Sequence, residues 1–134
     1  MAECTFLEFA QGLAAMSVAG VKRDFGMEPP KSLSDAMLPA KFLRLPRGDR
    51  APFADCIDKG SGMMTIEVIV CISPVIQGMP ERNFIETVRM MDAVSYAAVN
   101  LDVAMSVPTV VVKQIIFTVD VRYWAVSVEV TARG

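Results

Sequence analysis

The residue types that most often carry enzymatic chemistry are sparse in this sequence. Its 134 residues include no histidine, which removes the commonest general base, the commonest metal ligand and every Ser-His or Cys-His pair. Two pairs of carboxylates lie close together in the sequence, Asp55 with Asp58 and Glu81 with Glu86. No second element suggests a pocket around either pair, so we interpret both as surface charge. The sequence therefore predicts a protein that is not an enzyme.

Motifs for cofactor and metal binding are also missing from the sequence. The segment Gly60-Ser61-Gly62 lacks the lysine and the following helix of a phosphate-binding loop. The three cysteines, Cys4, Cys56 and Cys71, are odd in number and far apart, which fits neither a disulfide framework nor a CxxC site. We expect reduced thiols and no cofactor.

Composition and charge indicate one soluble domain spanning residues 1–134. Hydrophobic residues make up 53% of the chain and charged residues 21%, and no apolar run is long enough to cross a bilayer. The acidic start, without an apolar core behind it, predicts a cytoplasmic protein. Because the net charge is -2, sequence-specific nucleic acid binding is not expected. The neighbouring cations Lys41, Arg44, Arg47 and Arg50 are interpreted as a solvated face.

Hydrophobic periodicity predicts an α+β fold, with two helices packed on an antiparallel or mixed β-sheet and a long hairpin loop. A capping box from Thr5 to Glu8 starts the first helix, and Gly20 ends it. The predicted helices are 6–19 and 80–100, and the predicted strands are 21–25, 41–45, 64–72, 107–119 and 124–131.

The second predicted helix has two dissimilar sides. The charged outer side contains Arg82, Glu86 and Arg89. The side that is expected to face the core contains Phe84, Val88, Met91, Ser95 and Ala98.

The connection from Pro46 to Gly62 combines Pro, Gly and charges of both signs, so we expect a loop that is mobile when free and ordered on a partner. Two methionines, each next to a methionine expected in the core, are further interface candidates because methionine suits adaptable surfaces. The candidate interaction residues are Arg47, Asp49, Arg50, Asp55, Asp58, Lys59, Met63 and Met90.

Two predicted strands, 65–72 and 107–119, are apolar on both faces. A domain of this length is expected to have too little interior to cover all four faces, which predicts assembly with other subunits. The alternating pattern of the last strand places Trp124 in the core, at the head of the face formed by Val126, Val128 and Val130.

The order of these segments resembles the tail terminator and related minor tail proteins of long-tailed bacteriophages, and the resemblance covers nearly the whole chain. It rests on a helix followed by Gly20-Val21-Lys22, a hydrophobic strand ending at Ile72, and a second helix with Met91-Asp92-Ala93. The other segments that carry it are Glu28-Pro29-Pro30-Lys31-Ser32-Leu33, Leu38-Pro39-Ala40-Lys41-Phe42-Leu43-Arg44-Leu45-Pro46 and Trp124-Ala125-Val126-Ser127-Val128-Glu129-Val130.

The resemblance implies a ring, typically of six subunits, that caps the tail tube, ends its growth and offers a surface for joining the head. The implied partners are further copies of this chain, the major tail-tube protein and the head-tail connector, with DNA passing through the ring. Such a protein would occur in the host cytoplasm during assembly and then in the virion tail. The alternatives are a head-tail connector or tail-completion subunit and, from another class, a small-molecule-binding or enzymatic α+β domain, which would require a deep pocket with convergent polar groups.

Overall fold

The computed structural model describes residues 6–44, 63–75, 81–101 and 106–133. These residues form two α-helices packed against a mixed sheet of five strands, which confirms the predicted α+β class. A short 3-10 helix lies at Asp35–Met37. The main elements are α1 (Phe6–Ala15), β1 (Arg23–Asp24), β2 (Ala40–Arg44), β3 (Met63–Pro74), α2 (Glu81–Val99), β4 (Ser106–Thr118) and β5 (Arg122–Arg133).

The strands lie in the order β1-β2-β3-β5-β4. Strand β1 pairs parallel with β2, and the other neighbouring strands are antiparallel. Strands β2 and β3 are therefore consecutive antiparallel neighbours, as a hairpin requires. The residues that join them, 45–62, lie outside the described residues.

Helix α1 ends at Ala15, four residues before the predicted end at residue 19. Met16 and Val18 are both buried, although residues two apart in a helix point to different sides. Both side chains can reach the core because the helix ends at Ala15, before either residue. Gly20 adopts a φ of +89° in the turn that follows, so its predicted left-handed conformation is confirmed outside the helix.

Helices α1 and α2 cover one face of the sheet. Their buried side chains pack against the alternating residues of the strands that point to the same side. The buried residues of this helix-side core are Phe9, Leu13, Met16, Val18, Leu43, Ile66, Val68, Val70, Met90, Val94, Ala98, Val126, Val128, Val130 and Ala132.

The opposite face of the sheet holds a second apolar cluster, covered by chain from the region between β1 and β2. Its buried residues are Leu33, Leu38, Ala40, Phe42, Ile69, Cys71, Phe117, Tyr123 and Ala125. The ring centroids of Phe42 and Phe117 are 4.8 Å apart, although two strands separate β2 from β4. Because adjacent strands are about 4.8 Å apart, this contact requires the sheet to curl toward the second cluster.

The two clusters cover both faces of β3, so the predicted shortage of interior does not apply to this strand. Every residue of β3 from Ile66 to Cys71 is buried, because helices cover one face and the second cluster covers the other. Strand β4 is not fully covered, as the prediction requires of at least one strand. Val111 is exposed on one of its faces and Ile116 on the other.

The register of β5 places Trp124 opposite Ser73, next to a bulge in β3 between Cys71 and Ser73. Trp124 shares a strand face with Val126, Val128 and Val130, as predicted. Its side chain is only partly buried, however, so the prediction that it belongs to the core is wrong. Its Nε1 and the Ser73 Oγ are buried and have no hydrogen-bond partner among the described residues.

Candidate interaction surface

The residues predicted to bind partners fall mostly outside the part of the chain that the structure describes. Those outside it are Arg47, Asp49, Arg50, Asp55, Asp58 and Lys59. Met63 starts β3, where it pairs with Arg133, and its side chain is not described. Met90 is buried in the helix-side core, so its prediction as an outward-facing residue is wrong. Met90 is therefore the one predicted interaction residue whose side chain the structure describes.

The reason for the Met90 error is a rotation of α2 relative to the predicted helix faces. The buried residues are Thr87, Met90, Val94 and Ala98, so only Ala98 of the predicted inner side is fully buried. Thr87 can be buried because its hydroxyl donates to the Asn83 carbonyl at 2.7 Å. Consequently, the apolar Phe84 and Val88 lie on the surface.

The exposed side of α2 carries the apolar residues Phe84, Ile85, Val88, Tyr96 and Val99, which we call the α2 surface. Their exposed fractions range from 41% for Val88 to 74% for Tyr96. Isolated exposed apolar residues are ordinary, whereas five on one side of one helix make that side a candidate interaction site. Sequence analysis missed Ile85, Tyr96 and Val99, although their spacing is helical and could have indicated a second apolar stripe.

Two exposed charges interrupt the α2 surface near its middle, Arg89 and Asp92. Arg89 also lies 3.5 Å from the Glu86 carboxylate on the same helix, and both of these side chains are largely solvated. An exposed pair of this kind contributes little to stability and leaves the guanidinium free to change partner. The predicted exposure of Arg82, Glu86 and Arg89 is confirmed.

Two depressions flank these charges. One of about 700 Å³ lies between α2 and the chain after α1, and small side chains such as Ala19, Ala93 and Ala97 form much of its lining. Another of about 300 Å³ lies beside Phe84 and Ile85. The mostly apolar lining suits contact with another apolar surface more than it suits chemistry.

Other apolar side chains are exposed at the two ends of the strand order. Val111 and Ile116 lie on β4 at one end. Met27 follows β1 at the other end, and Leu7 lies on α1, which packs on β2 and β3. A depression of about 460 Å³, partly lined by Met27 and Pro29, lies near the second pair.

A row of charged side chains crosses the sheet on the face of the second cluster. Arg44 Nε donates to Glu67 Oε1 at 2.6 Å, and the Ser127 hydroxyl donates to Glu67 Oε2. Glu129, opposite Glu67 in the register, accepts from Lys113 Nζ at 3.4 Å. Because both carboxylates are buried and bound by these donors, the row is best understood as a structural network.

Lys41 lies on the other side of β2 and is fully buried, which corrects its interpretation as part of a solvated face. Its Nζ donates to the Ala14 carbonyl at 3.2 Å and to Asp24 Oδ2 at 3.0 Å. Asp24 Oδ1 also accepts from the Gly26 N–H at 2.8 Å. The lysine therefore satisfies a carbonyl at the end of α1 and holds α1, β1 and β2 together.

Asp120 anchors the turn between β4 and β5. Its carboxylate accepts from the Val121 N–H at 2.8 Å, from the Tyr123 hydroxyl at 2.9 Å and from the Leu33 N–H at 3.4 Å. The Val121 N–H first, and then the other two donors, lower the pKa of Asp120. Burial, together with the Asp120 carboxylate, raises the pKa of Tyr123 to about 12. Both shifts follow from a structural contact.

The buried thiol of Cys71 is likewise unsuited to chemistry. Burial raises the pKa of Cys71 to about 12, and the positive charge of Arg44 opposes this only in part. A thiol with such a pKa holds almost no nucleophilic thiolate at neutral pH.

Among the described residues, no group of three or more potential metal ligands converges on one point. Within the same residues, neither helix combines the length and the apolar character needed to span a bilayer. The chain matches no protein-family model, and no curated protein matches it.

Proposed function

We propose that this protein is the ring-forming tail terminator of a long-tailed bacteriophage, which caps the tail tube, ends its polymerisation and provides the surface for head joining. The proposal combines the resemblance of the sequence segments with one observation in the structure. Apolar side chains are exposed in two parts of the fold, with Val111 and Ile116 on the edge strand β4, and Leu7 on α1 and Met27 after β1.

A closed ring requires two different patches on each subunit, because every head-to-tail contact joins one patch to the other. The exposed apolar groups satisfy this requirement, since one set lies on β4 and the other on α1 and the chain after β1. Each contains apolar groups that a monomer leaves in water, and their burial between subunits would be favourable by about 25 cal/mol for each Å² removed from water. The alternative role of head-tail connector would use the same kind of contact.

Complementation between two defective variants tests the head-to-tail contact directly. Leu7→Asp damages one patch and Ile116→Asp damages the other. Either variant alone should fail to close a ring, whereas a mixture should form dimers through the one intact pair of patches and grow no further. Wild-type protein should form a ring, with a mass of about 88 kDa if six 14.6 kDa chains assemble. Multi-angle light scattering would measure the mass of the mixed dimer and of the wild-type ring. Electron microscopy with added tail tubes would show whether the ring closes.

The biological role requires a second measurement, in infected cells that lack the protein. Loss of a terminator should give tails of uncontrolled length, whereas loss of a connector should give tails of normal length that remain unjoined to heads. Tails of normal length that are joined to heads, together with a wild-type protein that stays monomeric on tail tubes, would refute the proposal.

A further inference from the structure

We infer that the α2 surface is a self-complementary docking site, on which a second copy of this chain packs its own α2 in the antiparallel direction. The inference does not depend on the ring proposal, because it uses none of the residues at the two ends of the strand order. It rests on the distribution of charge and side-chain size along α2.

The charges of α2 determine the direction of the pairing. Arg89 and Asp92 lie on either side of the helix midpoint and are three residues apart. A two-fold axis at the level of Met90 and Met91 places Arg89 of each copy opposite Asp92 of the other. A parallel pair of helices would instead place like charges opposite each other, which is unfavourable. Antiparallel pairing thus forms two equivalent ion pairs across the contact.

The same axis also matches the apolar side chains. Residues that are equally far from the axis meet in an antiparallel pair, so Ile85 of one copy contacts Tyr96 of the other. On the neighbouring side of the helix, Phe84 is level with Ala97 of the second copy and so lies between its Ser95 and Val99. The contact extends from residue 84 to residue 99, about 22 Å at 1.5 Å per residue. Each contact occurs twice, as an isologous interface requires.

The size of the α2 surface fits a weak dimer. With exposed fractions of 41% to 74% and aromatic side chains of roughly 150–250 Å², its five apolar residues offer about 500 Å² per copy. Two copies would bury about 1,000 Å² of this apolar surface, near the lower limit for a specific interface. We therefore expect a dissociation constant in the micromolar range rather than a permanent dimer.

Reversal of the two charges tests the pairing. Arg89→Asp and Asp92→Arg each place two pairs of like charges across the axis and should weaken dimerisation about tenfold, since each exposed pair contributes up to about 1 kcal/mol. The double variant Arg89→Asp/Asp92→Arg restores opposite charges and should recover most of the affinity. Sedimentation equilibrium over a range of protein concentrations would measure the dissociation constants, and circular dichroism would verify that the exposed substitutions leave the fold intact.

Two further variants determine which surface is involved. Tyr96→Ala should weaken the dimer, because Tyr96 is the most exposed aromatic residue of the α2 surface. Leu7→Asp is the matched control, since Leu7 is a similarly exposed apolar residue on α1, and it should leave the dimer unchanged while damaging the ring. A monomer at all concentrations, a double variant as weak as the single ones, or a dimer that survives each α2 substitution would overturn the inference.

Discussion

Removal of Asp24 should destabilise the protein more than removal of the buried lysine that it binds. Lys41 is fully buried, whereas the Asp24 side chain is 41% exposed. Asp24→Asn keeps the side-chain oxygen that can accept from the Gly26 N–H but leaves the Lys41 ammonium buried with only the Ala14 carbonyl. Loss of one partner from a buried ion pair costs 3–5 kcal/mol, and the partial exposure of Asp24 favours a value of about 3 kcal/mol.

Lys41→Met removes the charge and keeps the length of the side chain. The Asp24 carboxylate then remains in contact with water, and the Ala14 carbonyl loses one donor, so we expect a loss of about 1–2 kcal/mol. In the double variant no buried charge is left unpaired. Its stability should therefore be close to that of Lys41→Met alone, which makes the two substitutions strongly non-additive.

Urea unfolding at pH 7, followed by circular dichroism, measures all three variants. A loss of about 3 kcal/mol lowers the midpoint by about 1–2 M urea for a domain of this size. The reasoning is refuted if Asp24→Asn costs no more than Lys41→Met, or if the losses of the two single variants add up in the double variant. Either result would mean that the ammonium is solvated after the loss of Asp24.

Glu67→Gln should cost about 3 kcal/mol in the same assay, because it leaves the Arg44 guanidinium without its carboxylate in a largely buried network; a loss below about 1 kcal/mol would contradict the structural role. Asp120→Asn should destabilise the protein at neutral pH, and the difference from wild type should shrink as the pH falls below about 4 and vanish only below the lowered pKa of Asp120, because a carboxyl group whose pKa is lowered on folding stabilises only while it is ionised. A difference that does not change with pH would contradict this. Cys71, with a pKa of about 12, should react with iodoacetamide only after unfolding, and peptide mass spectrometry with and without urea would detect the change.

The strand and helix positions could be predicted from local patterns because each element repeats a strong signal. In β5 the alternation of Val126, Val128 and Val130 with polar residues gives the strand and the face that packs against the helices, although Ser127 and Glu129 on the other face are buried as well. Helix α2 was located to within one residue at each end. The long-range partners of the charged residues could not be predicted, since Lys41 meets Asp24 and Ala14 only after β1, β2 and α1 have come together.

The candidate interaction surface was missed because α2 has apolar residues on nearly every side. A periodic pattern then permits several rotations of the helix, and the polar type of Thr87 favours the wrong one. The hydrogen bond from Thr87 to the Asn83 carbonyl removes the penalty for burying its hydroxyl. The correct rotation depends on how α2 packs in the folded chain. In that packing the Met90 side chain lies beside the turn at Gly20, where an added Cβ would be 3.6 Å from the Met90 Cε.

The two edges of the sheet differ, which constrains how subunits of the proposed ring can meet. At one edge lies β1, which has only two residues, and the chain after it is held on β2 by the Leu43 N–H bond to the Gly26 carbonyl at 2.8 Å. Along β4, by contrast, no described strand pairs with the outer edge. A continuous sheet around a ring would need two long open edges on every subunit, and the two residues of β1 are too short to pair with the thirteen of β4. Contacts between the described residues of neighbouring subunits must therefore use side chains such as Leu7 and Ile116, which is why single charged substitutions at these positions should prevent ring closure.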